Sequence, residues 1–162
     1  MFFRTGTGIP SMDISQLLQP EDIVLDLNVS SKARLFEEIG RRLQQTHNLS
    51  VDLVVKSLHD REKLGSTALG LGMALPHARI KGLNEAIAVF VRTELALPFD
   101  APDGKPVSNI LALIVPERAT QAHLEILAAI AQLFSDQDFR NKLRTCATPQ
   151  EVHQLFAANA TA

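Results

Sequence analysis

The chain has no tryptophan and no tyrosine, and its single cysteine is Cys146. One cysteine excludes an intramolecular disulfide framework and any multi-cysteine metal site. Eight phenylalanines are the only aromatic residues, so core volume has to come mainly from leucine, isoleucine, valine and alanine. A basic excess is missing too. Sixteen Lys and Arg stand against eighteen Asp and Glu, and a net charge of −2 offers no positive footprint for neutralising phosphates, so no nucleic-acid partner is expected. No apolar run approaches the ~18 residues that cross a bilayer, so no membrane insertion is expected. The opening MFFRTGTGIPSM lacks the uninterrupted apolar stretch of a signal peptide and reads as a disordered leader over 1–11. The cytoplasm is the default location.

What is present suits one globular domain. The chain has 162 residues, 46% of them hydrophobic and 21% charged, enough for a sizeable core. The domain is expected over 12–158, with a tail at 159–162. Residues 23–27 mix β-branched and alternating positions and read as a strand. An amphipathic helix follows from the Ser30-Ser31 cap, with Leu35, Phe36, Ile39 and Leu43 at helical spacing. After a turn at Asn48, Ser50 caps a second helix that ends before Gly65. Two strands are clear at 86–94 and 110–115. The latter is apolar on every residue, which places it inside a sheet. Asp103-Gly104 marks a turn between them. Thr120 caps a helix to about Phe134, and helices at 136–144 and 148–158 complete the chain. Helices before and after the strands, without a helical crossover between every pair, predict an α/β domain: a mixed β-sheet flanked by helices on both faces.

The chemistry concentrates in Arg61-Glu-Lys-Leu-Gly-Ser-Thr67 and Gly72-Met-Ala-Leu-Pro-His77. Pro76 fixes its own φ and disfavours helix at Leu75, so a strand is expected to stop there and present His77 at its end. His123 falls in the first turn of the helix capped by Thr120, where free N–H groups and the helix dipole favour an anion and disfavour an imidazolium. Arg61, near the end of the second helix, carries a planar fork suited to phosphate oxygens. Each has a plainer reading: a satisfied histidine, a surface histidine, a cation at a helix C-terminus. Ser66 and Thr67 read equally as turn residues or as groups that orient His77 through its second ring nitrogen. Asp60 and Glu62, at spacing two, do not share a helix face and read as solvated charges. His47, His59 and His153 lack partners at metal-ligand spacing. Cys146 reads as a buried or half-buried thiol without a task.

Together, Arg61-Glu-Lys-Leu-Gly-Ser-Thr67, Gly72-Met-Ala-Leu-Pro-His77 and His123-Leu124 resemble the signature of the mannitol/fructose-type IIA domains of the bacterial phosphoenolpyruvate–sugar phosphotransferase system. The nitrogen-regulatory subgroup is the most similar. The resemblance runs from about Met12 to Ala158. Ala78 stands where glycine is frequent, and Glu125 where some nitrogen-branch members carry a further histidine. The resemblance implies that His77 is the phosphorylated nucleophile, that His123 helps form the site, and that Arg61 belongs to it, with Ser66 and Thr67 as phosphate-binding or partner-contact candidates. It implies the fold already read from the residues. The phosphodonor would be the histidine phosphocarrier protein HPr or its nitrogen-branch paralogue NPr, and the output would be regulation of target proteins according to phosphorylation state.

Such chemistry needs neither a cofactor nor a metal, because a neutral imidazole already has a free lone pair and the leaving group is another imidazole. Two other readings share these residues. One is a sugar-specific carrier that passes the group to a IIB domain. The other is a binding module that acts only through protein contacts.

Overall fold

The computed structural model describes residues 13–118 and 121–159. The expected leader, Thr120 as a helix cap, and the tail beyond Asn159 lie outside the described residues. A short helix, α1 (Ile14–Leu17), is opened by Asp13, whose side chain accepts from the Ser15 N–H, and a single 3-10 turn (Pro20–Asp22) leads into β1 (Ile23–Leu27). The sequence pattern showed neither of the two segments before β1; at four and three residues they are too short for periodicity to reveal. Next come α2 (Lys32–His47) and α3 (Val51–Glu62), capped by the hydroxyls of Ser31 and Ser50. Asn48 makes the turn between them in the left-handed region, at φ 59°. Gly40 lets the two helices close up, since a Cβ there would stand 3.1 Å from a Val51 methyl.

Four more elements follow as β2 (Ala68–Gly70), β3 (Met73–Ala74), β4 (His77–Ile80) and β5 (Ile87–Leu97), and β6 (Val107–Pro116) completes the sheet. β5 begins one residue after the expected 86 and runs on to Leu97, and β6 extends the expected 110–115 at both ends, taking in the polar Ser108 and Asn109. Three helices finish the described chain: α4 (Gln121–Phe134), α5 (Gln137–Thr145) and α6 (Pro149–Ala158). Asp136 and Thr148 cap the last two with their side chains, as their sequence positions suggest.

The six strands form one mixed sheet in the order β1-β5-β6-β3-β2, with β4 also on β6. β1 runs parallel to β5, β5 antiparallel to β6, and β3 and β4 both parallel to β6. Alternation along β6 divides the core. Ile110, Ala112 and Ile114 meet Leu35, Phe36, Ile39 and Leu58 of α2 and α3, while Leu111, Leu113 and Val115 meet Ile126, Ile130, Phe139 and Phe156 of α4 to α6. All these β6 side chains are buried, the expected state of a strand covered on both faces.

One local expectation needs correcting. The chain does not leave the sheet at Leu75. Ala74 pairs with Ile110 and His77 with Leu113, so the segment keeps its register along β6 across Pro76. Pro76 has no N–H to donate, which interrupts the ladder, but its carbonyl accepts from Leu113 N–H at 2.9 Å. His77 therefore opens β4 rather than ending a strand.

Candidate functional site

Among the described residues, β4 has a strand neighbour only on its β6 side. Its other edge borders a cleft of about 430 Å³ whose walls come from three directions. Ser57, Asp60 and Arg61 of α3, with Leu64 just beyond, form one wall, and His123, Leu124 and Leu127 of α4 form another. His77 and Arg79 line it from β4, above Leu113 and Val115 of β6. His77 and His123 thus share one depression, reached from an edge strand and from the first turn of a helix. The walls are largely apolar, and Leu64 and Leu124 remain 83% and 56% exposed at the rim.

The hydrogen bonds of His77 define its protonation state. Nδ1 lies 3.0 Å from the Leu75 carbonyl oxygen, which can only accept, so Nδ1 carries the proton. Arg61 Nε, which can only donate, lies 3.2 Å from Nε2, so Nε2 accepts through its lone pair. The ring is neutral, and its unprotonated nitrogen faces the cleft wall that carries Arg61. Burial pushes the His77 pKa below the ordinary histidine value and the Arg61 charge pushes the same way, while the Leu75 carbonyl and the Glu62 carboxylate oppose them. The net lowering favours the neutral imidazole at neutral pH.

Arg61 is held at two points. Besides Nε on His77, its Nη1 donates to the Gly65 carbonyl at 3.0 Å. That loop carbonyl turns the guanidinium edge towards β4. Gly65 itself has φ 151°, a conformation open to glycine at no steric cost.

Ser66 and Thr67 do not touch His77, whose second nitrogen is taken by Leu75. The Ser66 hydroxyl donates to the Phe99 carbonyl and accepts from Ala68 N–H, tying the loop to the segment between β5 and β6. Thr67 is buried and bonded to Glu62. Glu62 corrects the reading of a solvated charge. Its side chain is 6% exposed, with Lys32 Nζ at 2.9 Å, Thr67 Oγ1 at 2.7 Å and Thr67 N at 3.0 Å. Asp60 does face solvent, paired with Lys56 on α3 and with Lys63 just beyond it.

The remaining histidines have structural contacts. His47 Nε2 lies 2.7 Å from the buried Asp22 carboxylate, His59 packs edge-on against Phe36, and His153 bonds the Ser15 carbonyl. Cys146 is half-buried at the end of α5, and burial raises its thiol pKa, the opposite of an activated nucleophile.

Residues 16–159 match the family described as phosphoenolpyruvate-dependent sugar phosphotransferase system, EIIA 2. The chain belongs to that family. The nitrogen regulatory protein of Bradyrhizobium diazoefficiens is 36% identical to it over 146 residues, covering 90% of this chain and 95% of its own length. The nitrogen regulatory protein homolog of Haemophilus influenzae is 36% identical over 149 residues, covering 90% and 91%. Among solved structures, the nitrogen regulatory protein IIA-Ntr of Neisseria meningitidis superposes with a TM-score of 0.84 at 48% identity, over 88% of this chain and 98% of that one. The mannitol IIA of Escherichia coli shares the fold at 20% identity, with a TM-score of 0.72 over 86% and 98% of the two chains. This IIA protein is a phosphoryl carrier of the nitrogen-type phosphotransferase system. Among the described residues, no helix is long and apolar enough to cross a membrane.

Proposed function

We propose that His77 is the residue of this carrier that takes the phosphoryl group, through Nε2, from the phosphohistidine of HPr or NPr. The observation that supports this most is the opposed pair of hydrogen bonds on its ring. An acceptor on Nδ1 and a donor on Nε2 leave one tautomer, with its lone pair on the nitrogen beside Arg61. In the transfer, a nitrogen–phosphorus bond forms at Nε2 as the donor's nitrogen–phosphorus bond breaks. The donor's histidine leaves with the electron pair. The transition state is loose, with charge spread over the equatorial oxygens. Arg61 then exchanges its contact with the Nε2 lone pair for contacts with those oxygens, and His123 adds a second group on the opposite wall. Leu64 and Leu124 at the rim supply apolar area for the partner that delivers the group.

Phosphorylation adds close to two negative charges to a mostly apolar cleft, a change large enough to alter which proteins dock there. On this reading the protein works in the cytoplasm, and its regulatory output follows the phosphorylation state of His77. Transfer onward to a IIB domain uses the same histidine; a solved complex of the mannitol IIA with a phosphorylated IIB shares this fold and motivates that second reading.

The test is incubation with phosphoenolpyruvate, enzyme I and HPr or NPr, followed by mapping of the label. An acid-labile, alkali-stable adduct on His77 is expected, lost in His77→Ala. Full labelling of His77→Ala would overturn the assignment.

A further inference from the structure

The groups that hold His77 in its single tautomer are themselves held by one side chain. Glu62 ends α3 and folds back over the 62–67 loop, where its two carboxylate oxygens accept the hydroxyl and the backbone N–H of Thr67. This clasp fixes the loop at its far end, and two arms run from it to His77. Along the first, the Thr67 carbonyl accepts the Leu75 N–H at 3.0 Å, and the Leu75 carbonyl accepts Nδ1–H of His77 at 3.0 Å. Along the second, the closed loop presents the Gly65 carbonyl to Arg61 Nη1 at 3.0 Å, and Arg61 Nε meets Nε2 of His77 at 3.2 Å. The first arm is an unbroken run of hydrogen bonds from the Glu62 carboxylate to Nδ1, and the second reaches Nε2 through the loop that the clasp closes.

Lys32, from the start of α2, neutralises the carboxylate at 2.9 Å and lies over the Phe99 ring, 4.4 Å from its centroid. A buried carboxylate without such a partner would be costly, and the ion pair offsets part of that cost.

We propose that Glu62 is a positioning residue: through Thr67 and the 62–67 loop it aligns both the Leu75 carbonyl and the Arg61 guanidinium on His77, and so selects the ring tautomer with Nε2 unprotonated. The inference rests on His77 being the phosphorylated residue only for its consequence, not for its geometry. Alanine at 62 removes both acceptor oxygens and opens the clasp, whereas glutamine would still accept the Thr67 N–H and could donate to the Thr67 hydroxyl.

The experiment compares wild type, Glu62→Ala, Thr67→Val and Lys32→Gln. It reads the His77 ring nitrogens by long-range proton–nitrogen correlation spectra, beside thermal melts and single-turnover acceptance from phosphorylated HPr or NPr. Wild type should show Nδ1 protonated and Nε2 unprotonated. Glu62→Ala should lose that exclusive form and accept the group about 10–100-fold more slowly, the scale expected when a reacting group is displaced by about an ångström. Thr67→Val, which keeps its backbone N–H on Glu62, should move both readouts in the same direction but less. Lys32→Gln should lower the melting temperature and leave the ring spectrum closer to wild type than Thr67→Val does.

A Glu62→Ala protein with an unchanged ring spectrum and wild-type rate would overturn the proposal. So would a tautomer that changes in Lys32→Gln and not in Thr67→Val, since charge rather than the clasp would then be responsible. If Glu62→Ala does not fold, the Thr67→Val ring spectrum decides. The ring readout needs no phosphodonor, so a wild type that takes no label on His77 would defeat the phosphoryl assignment while leaving the clasp to be judged on its own.

Discussion

Arg61 offers the sharpest quantitative test of the site, because charge and geometry can be removed separately there. Its guanidinium makes two directed contacts, Nε to His77 and Nη1 to the Gly65 carbonyl, from a half-buried position on the cleft wall. Removing one preorganised donor from a closed catalytic site costs roughly 10²–10³ in rate. This cleft is open at a rim where Leu64 is 83% exposed, so water can take the place of a missing donor. Arg61→Gln should therefore slow acceptance by about 10²-fold, close to ~2.7 kcal/mol of transition-state stabilisation. Arg61→Lys keeps the charge but not the planar fork, and one ammonium cannot reproduce both directed contacts at once. About 10-fold is expected for it.

The pH dependence should separate the two variants further. Attack requires the neutral ring, and burial first, then the Arg61 charge, hold the His77 pKa below its ordinary value. The wild-type rate should therefore be level at neutral pH and fall only as pH drops through that depressed pKa. Without the charge the pKa rises, so the acid limb of Arg61→Gln should lie at higher pH, while that of Arg61→Lys should stay near wild type. The assay is single-turnover transfer from phosphorylated HPr or NPr across pH, beside a thermal melt of each variant. A wild-type rate and an unmoved acid limb in Arg61→Gln would refute the role given to Arg61.

Two further outcomes follow from the geometry. His123→Ala should slow acceptance by about 10²-fold or less, with His77 still the labelled residue and the melt nearly unchanged, since a half-buried polar side chain in the first turn of α4 covers little apolar area; a wild-type rate would make it an ordinary surface residue. Phe156→Ala should cost about 3–5 kcal/mol in denaturant unfolding, because this fully buried ring packs edge-on against Phe90, Phe134 and Phe139 at the junction of the sheet with α4 to α6; a loss under about 1 kcal/mol would mean that the α4–α6 side of the core readily repacks.

The parts of the fold legible in the sequence are those whose signal is local. The run at 110–115 is apolar at every step because β6 is covered on both faces, and four helices open on side-chain caps at Ser31, Ser50, Asp136 and Thr148. β4 was not legible. His77-Ala-Arg-Ile80 is short and half polar, and it is a strand only because β6 continues past Pro76 in unbroken register. His77 and His123 could be singled out separately, by a proline and by a helix start, yet their sharing of one cleft depends on the packing of α4 over that edge.

Glu62 marks where such reading stops, and the reason is instructive. Its spacing of two from Asp60 correctly excludes a shared face, and so excludes a carboxylate pair for acid–base work. But two residues pointing in different directions from the last turn of α3 need not both point into water. The same 3.6-residue period that separates them allows one to turn inward while the other stays with Lys56 and Lys63. Which one turns is decided by Lys32, thirty positions earlier in the chain, and by Thr67, which the loop returns to the helix end. Neither relation has a local signature. A charged residue next to a candidate site arginine is therefore poorly served by a solvated default, because the groups that hold such an arginine in place must come from its immediate surroundings.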